Sequence, residues 1–187
     1  MSTGTIITIV AVVIIVLWFI SCFNRFKRLQ VAIRESWANI DVQLKRKANI
    51  IPNLVDTLKM QMKFESELLT KLTAARSGLV GGDKVEAMRA NDAITNMIPE
   101  IRATAENYPE LGTNRSFLQL MEDIRDCEDK VSYARNRYNM TVARYNMDIQ
   151  QIPSNIVAGF MHLQQEQLFE ISQEKREEAD NMRIKDL

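Results

Sequence analysis

The first 24 residues carry no charged side chain, and between Ile6 and Phe23 only Thr8 and Ser21 interrupt a run of apolar residues. At about 1.5 Å per residue that run is roughly 27 Å long, close to the ~30 Å hydrocarbon core of a bilayer. Lipid offers no hydrogen-bond partner to the backbone, so an isolated span has to be a helix, and its many β-branched residues do not weigh against that. Trp18 and Phe19 stand towards the end where aromatic belts lie. Nothing basic precedes Ile6, as a cleaved secretory signal requires, so an uncut anchor over residues 1–24 is expected. The alternative is a lipoprotein signal: Phe19-Ile20-Ser21-Cys22 resembles a site where a cysteine becomes lipidated. Arg25, Lys27 and Arg28, with Arg34, flank the span on its C-terminal side. By the positive-inside rule they place the rest of the chain in the cytoplasm, behind a single-pass inner-membrane anchor.

The remainder reads as helix. Six Gly and four Pro among 187 residues are few for a chain rich in hairpins or disorder. Leu29, Ile33, Trp37, Ile40, Leu44, Ile51, Leu54 and Leu58 recur at spacings of three, four or seven, a coiled-coil-like stripe. Lys47 sits on that seam, and Pro52 removes a backbone donor, so a kink or break is predicted around 49–52. Ser77-Gly78-Leu79-Val80-Gly81-Gly82 reads as the turn after this helix. Asp83, with Glu86 three positions on, caps a second helix whose face carries Val85, Met88, Ile94, Met97, Ile98, Ile101 and Ala105, with a bend at Pro99. Tyr108 to Gly112 ends it, and Thr113 or Asn114 caps the third.

That third helix carries the clearest pattern: Phe117, Met121, Ile124, Glu128, Val131, Arg135, Tyr138, Val142, Tyr145 and Ile149 alternate by four and three. Running from Asn114 to Gln151 it would be roughly 57 Å long, and such a helix needs long partners. Ile152 to Asn155 closes it. A last amphipathic segment with Ile156, Phe160, Leu163, Phe169 and Ile171 is predicted to fray beyond about Lys175. The expected fold is all-α: an N-terminal transmembrane helix, an elongated antiparallel bundle of long amphipathic helices over 25–171, and a charged tail over 172–187.

Chemistry finds little purchase. A single His excludes sites that need two imidazoles, and two Cys cannot build a disulfide framework or a four-thiolate zinc site. Glu122, Asp123, Asp126, Glu128 and Asp129 lack the glycine turn and loop spacing of a calcium loop and read as a solvated face. His162 reads as a packed or surface histidine, and Cys127 as a small apolar residue without a base nearby. No glycine-rich phosphate loop follows a strand. No catalytic residue, metal, cofactor or nucleic-acid partner is expected. Tyr138-Asn139 and Tyr145-Asn146, one heptad apart, form a packing signature whose polar ends fix helix register. Residues 24–76 hold 11 basic and 5 acidic side chains, whereas 77–187 hold 13 and 19. The opposed fields favour pairing of the hairpins, or head-to-tail association of copies.

Taken in order, Ser36-Trp37-Ala38-Asn39-Ile40-Asp41-Val42-Gln43-Leu44-Lys45-Arg46-Lys47, Ile51-Pro52-Asn53-Leu54-Val55, Tyr108-Pro109-Glu110-Leu111, Phe117-Leu118-Gln119-Leu120, Ala134-Arg135-Asn136-Arg137-Tyr138-Asn139, Tyr145-Asn146 and Pro153-Ser154-Asn155-Ile156-Val157-Ala158 resemble the LemA family, from the span to about Phe169. The resemblance implies a long helical bundle behind an N-terminal anchor and supplies no reaction. Family members linked to magnetosome membranes imply a role in organising membranes, and members with lipoprotein signals keep Cys22 in view. The expectation is a non-enzymatic membrane scaffold, homo-oligomeric through the stripes of Trp37, Ile40, Leu44, Tyr138 and Tyr145. The alternative is an adaptor that engages a membrane protease or another membrane enzyme through Arg46-Lys47 or the acidic tail.

Overall fold

In the computed structural model, residues 2–61 and 66–169 are described. They form six helices: α1 Thr3–Gln61, α2 Ser66–Gly81, α3 Lys84–Glu106, α4 Pro109–Gly112, α5 Arg115–Gln150 and α6 Ser154–Phe160. No strand occurs among them. The expected Ile171 and the charged tail lie outside the described residues.

The membrane span and the first stripe of the bundle belong to one helix. From Ile6 to Ile20 the large apolar side chains of α1 stay exposed apart from the partly covered Phe19, so among the described residues almost nothing packs on this stretch. From Phe26 onwards one face is buried at Ile33, Ile40, Leu44, Ile51, Leu54 and Leu58. The predicted break at 49–52 is absent, because α1 passes through Pro52 and runs on to Gln61. Pro52 leaves the Ala48 carbonyl without its helical donor, and Arg76 Nε of α2 supplies one at 2.9 Å.

The turn predicted over 77–82 is shorter than expected. Gly78 and Gly81 lie inside α2, and the chain reverses at Gly82 and Asp83. Gly78 is there for contact: a Cβ at that position would stand 2.8 Å from Ala90 Cβ. Asp83 caps α3 as expected, its Oδ1 accepting from Glu86 N at 2.8 Å. Asn114, rather than Thr113, caps α5 by accepting from Ser116 N and Phe117 N.

Helix α5 returns along α1 in antiparallel register. Arg25 meets Asp148, Phe26 meets Tyr145, Trp37 meets Tyr138 and Arg46 meets Asp126, one number climbing as the other falls. The α2–α3 hairpin covers the end of this pair far from the span. Nearer the span its place is taken by α6 and by residues 163–169.

Those last residues correct the expected terminal helix. Helix α6 stops at Phe160, His162 turns the chain with a left-handed φ of 51°, and 163–169 run without helical structure. Ile156, Phe160 and Leu163 have spacings a helix would allow, but beyond Phe160 side chains of α5 bind the backbone directly.

Candidate functional site

Three clusters stand along the α1–α5 pair. At the centre is Lys47, wholly buried on the apolar seam. Its ammonium donates to Asn91 Oδ1 at 3.0 Å, Thr95 Oγ1 at 3.1 Å and Glu128 Oε1 at 3.4 Å, which uses all three protons. Burial pushes its pKa down, and the Glu128 carboxylate only partly offsets that. Two of the three seam positions that break the apolar pattern, Lys47 on α1 and Glu128 on α5, therefore meet; the third is Arg135. Nearby, Arg135 bonds Asp92 at 2.8 Å, and an open polar cleft of about 560 Å³ runs past Asn91, Asp92, Glu128 and Arg135.

The charge asymmetry closes on itself across the same pair. Arg46 bonds Asp126 at 2.8 Å, and Asp126 also accepts from Lys130 at 2.9 Å. The Lys130 hydrogen bond is the main reason the Asp126 pKa is lowered. Arg46 and Lys47, expected as an adaptor surface, are thus engaged within the chain, Lys47 completely.

Nearer the span, α5 holds the 163–169 strap by its backbone. Asn139 donates to the Phe169 carbonyl at 2.8 Å and accepts from Phe169 N–H at 2.9 Å. Asn146, two turns along, makes the same pair of bonds to Glu166 at 2.8 and 2.9 Å. Seven residues of helix rise about 10.5 Å and three extended residues about 10 Å, so the two spacings match. Phe169 lies against Trp37 and Tyr138, its ring centre 5.6 and 5.1 Å from theirs. Lys84 stands 5.7 Å from the centres of both rings and 3.9 Å from Glu166. Burial, with Glu166 adding, pushes the Tyr138 phenol up to about 12. The Tyr-Asn repeats thus do two tasks: the Tyr rings enter the core and the Asn amides clasp a strap. The first task was legible in the sequence, and the second had no signal there.

At the span, the exposed Arg25 pairs with the buried Asp148, and Lys27 lies over Phe23. Arg28 is exposed beside them. Ser154 Oγ bonds the Asp148 carbonyl at 2.7 Å, tying α6 to the end of α5. Phe19 and Phe160 meet edge to face with ring centres 5.7 Å apart. Cys22 is buried within the unbroken α1.

Of the residues expected to pack or self-associate, Ile40, Leu44, Tyr138 and Tyr145 are buried inside the single chain and offer no area to another copy. Trp37 is half-buried, with Tyr138 and Phe169 against it. As for chemistry, no group of three potential metal ligands occurs among the described residues. Cys127 is buried with its pKa raised by that burial, which keeps it a thiol. His162 is exposed on a turn.

Comparison with known proteins agrees with this architecture. The LemA family profile matches residues 36–183. A protein named LemA from Metamycoplasma hominis is 26% identical over 164 residues, covering 87% of this chain and 75% of its own length. Magnetosome protein MamQ 2 of Paramagnetospirillum magneticum is 20% identical, over 82% of this chain and 66% of its own. MamQ of Magnetospirillum gryphiswaldense is 19% identical, over 81% and 66%. None of these names is that of an enzyme. The chain, matched over most of its length, belongs to the LemA family.

Proposed function

We propose that this protein is a non-enzymatic scaffold anchored in the cell membrane by residues 6–23, with its bundle on the cytoplasmic side. One observation carries the reading: the span and the first helix of the bundle are a single uninterrupted α1. A helix continuous across that junction fixes the bundle to the bilayer without a linker. The exposed Arg25, Lys27 and Arg28 support the cytoplasmic orientation. Relatives named as magnetosome proteins support a role in organising membrane.

Self-association in this reading uses a surface other than the buried seams. Tyr133, Met140 and Met147 stand 73, 67 and 62% exposed on α5 at heptad spacing, an apolar stripe that nothing else among the described residues covers. With Cys22 and Cys127 replaced by Ala, Met140→Cys should form an interchain disulfide in membranes. Light scattering of the solubilised full-length chain should give more than one chain's mass. A single chain's mass at every concentration, with no crosslink, contradicts self-association.

A further inference from the structure

Helix α6 is too short to stand alone and is amphipathic in an unusual sense. Val157 and Ala158 are buried against the bundle, while Ile156 and Phe160, four residues apart, are 67 and 72% exposed. Ile152, on the turn just before, is 78% exposed. No Asp, Glu, Lys or Arg occurs from Ile149 to Gln165. In water this would be a poor surface, since it sets three large apolar side chains close together with no charge among them.

Its position supplies the reason. Phe160 packs on Phe19, which belongs to the apolar run of α1. Phe19 lies four residues inside Phe23, about 6 Å below the end of that run. Amphipathic helices that lie in a membrane surface bury their apolar faces about 5–10 Å into the boundary between headgroups and acyl chains. The contact therefore sets Phe160, at the end of the exposed face of α6, at that depth.

We propose that α6 and the turn before it form a second membrane contact, with Ile152, Ile156 and Phe160 seated among lipid acyl chains beside the span. This rests on the reading of 6–23 as a transmembrane helix. A lone span leaves the bundle free to turn about the axis of α1. A second contact fixes that angle, and it decides which face of α5 looks away from the lipid.

The test uses the full-length chain in lipid nanodiscs, with Cys22 and Cys127 replaced by Ala and single spin labels introduced. Labels at Ile156→Cys and Phe160→Cys should collide with oxygen in preference to a water-soluble nickel chelate, as a label at Ile14→Cys in the span should. Their oxygen-to-nickel ratio should exceed several-fold that of a label at the exposed Arg125→Cys on α5. If 14 reads as lipid and 156 and 160 read as water, this inference is overturned and the span stands. If 14 also reads as water, the span itself fails. Shielding of 156 and 160 from both reagents means that protein covers them, which equally overturns the inference. Labelling of the unsubstituted chain by a lipid-borne diazirine should mark the peptide holding Ile156 and Phe160, and its absence counts against the inference even if a substituted chain misfolds.

Discussion

Arg76 Nε donates to the carbonyl oxygen of Ala48 at 2.9 Å, the acceptor that Pro52 deprives of its helical N–H. A proline inside a helix costs about 3 kcal/mol or more, partly through that orphaned carbonyl. Here α2 folds back to satisfy it, and α1 continues for nine residues beyond. Arg76→Met should destabilise the bundle by about 1–2 kcal/mol, the cost of an unmet buried acceptor. In a Pro52→Ala background the same change should cost much less, because the helix then supplies its own donor. Denaturant unfolding of the four variants measures the coupling; equal costs in the two backgrounds refute it.

Lys47 makes stability depend on pH in a definite direction. Burial lowers its folded pKa from 10.5. Well below the lowered value the group is charged in both states, and folding bears the full cost of burying it. As pH rises from that value towards the unfolded 10.5, the unfolded chain holds more protons than the folded one, so stability increases. Lys47→Met should flatten this rise and, by leaving Asn91 Oδ1 unmet, cost about 1–3 kcal/mol at neutral pH. Unfolding midpoints measured from pH 7 to 10 check both; an unchanged pH slope in Lys47→Met contradicts the account.

Tyr138 acts oppositely at higher pH. Its folded pKa is raised from 10.0 to about 12. Its contribution is complete below pH 10 and is lost as pH rises through about 12. A displacement of that size corresponds to about 2–3 kcal/mol. In a Lys47→Met background, where the lysine no longer contributes, stability should fall between pH 10 and 12, and Tyr138→Phe should reduce that fall, the buried Tyr145, whose phenol is also pushed up, contributing to the remainder. Equal falls with and without the phenol contradict it.

The strap predicts a local effect. Asn139→Ala or Asn146→Ala removes two backbone hydrogen bonds, each worth about 1 kcal/mol net. Amide exchange at Phe169 and Glu166 respectively should accelerate, while amides in the middle of α1 and α5 keep their protection. Unchanged exchange at both strap amides would show that the aromatic contacts alone hold it.

How much of this could be read beforehand differs by element. The α5 stripe was legible because apolar residues at spacings of four and three leave no other periodicity to compete. Lys47 and Glu128 were visible as interruptions of two seams, but their meeting requires the antiparallel register, which neither seam contains alone. That the stretch before Ser77 divides into α1 and a returning α2 had no signal at all, since no Gly or Pro lies between Asn53 and Ser77. Pro52 misled because its remedy, Arg76, lies 24 residues away. The cluster at 77–82 misled because glycine marks both a turn and a close helix crossing, and Gly78 serves the crossing with Ala90. The strap was hidden for a further reason: what holds 163–169 extended is two asparagines on another element.

Continuity of α1 from membrane to bundle is measured by the distance between spin labels at Leu17→Cys in the span and Asn49→Cys in the bundle, read by pulsed electron resonance in nanodiscs. One continuous helix separates their backbones by about 48 Å. A rigid α1 gives a narrow distribution centred near that value, widened only by the label arms. A broad distribution, or one centred well below it, would mean a joint between membrane and bundle and would contradict the rigid anchor.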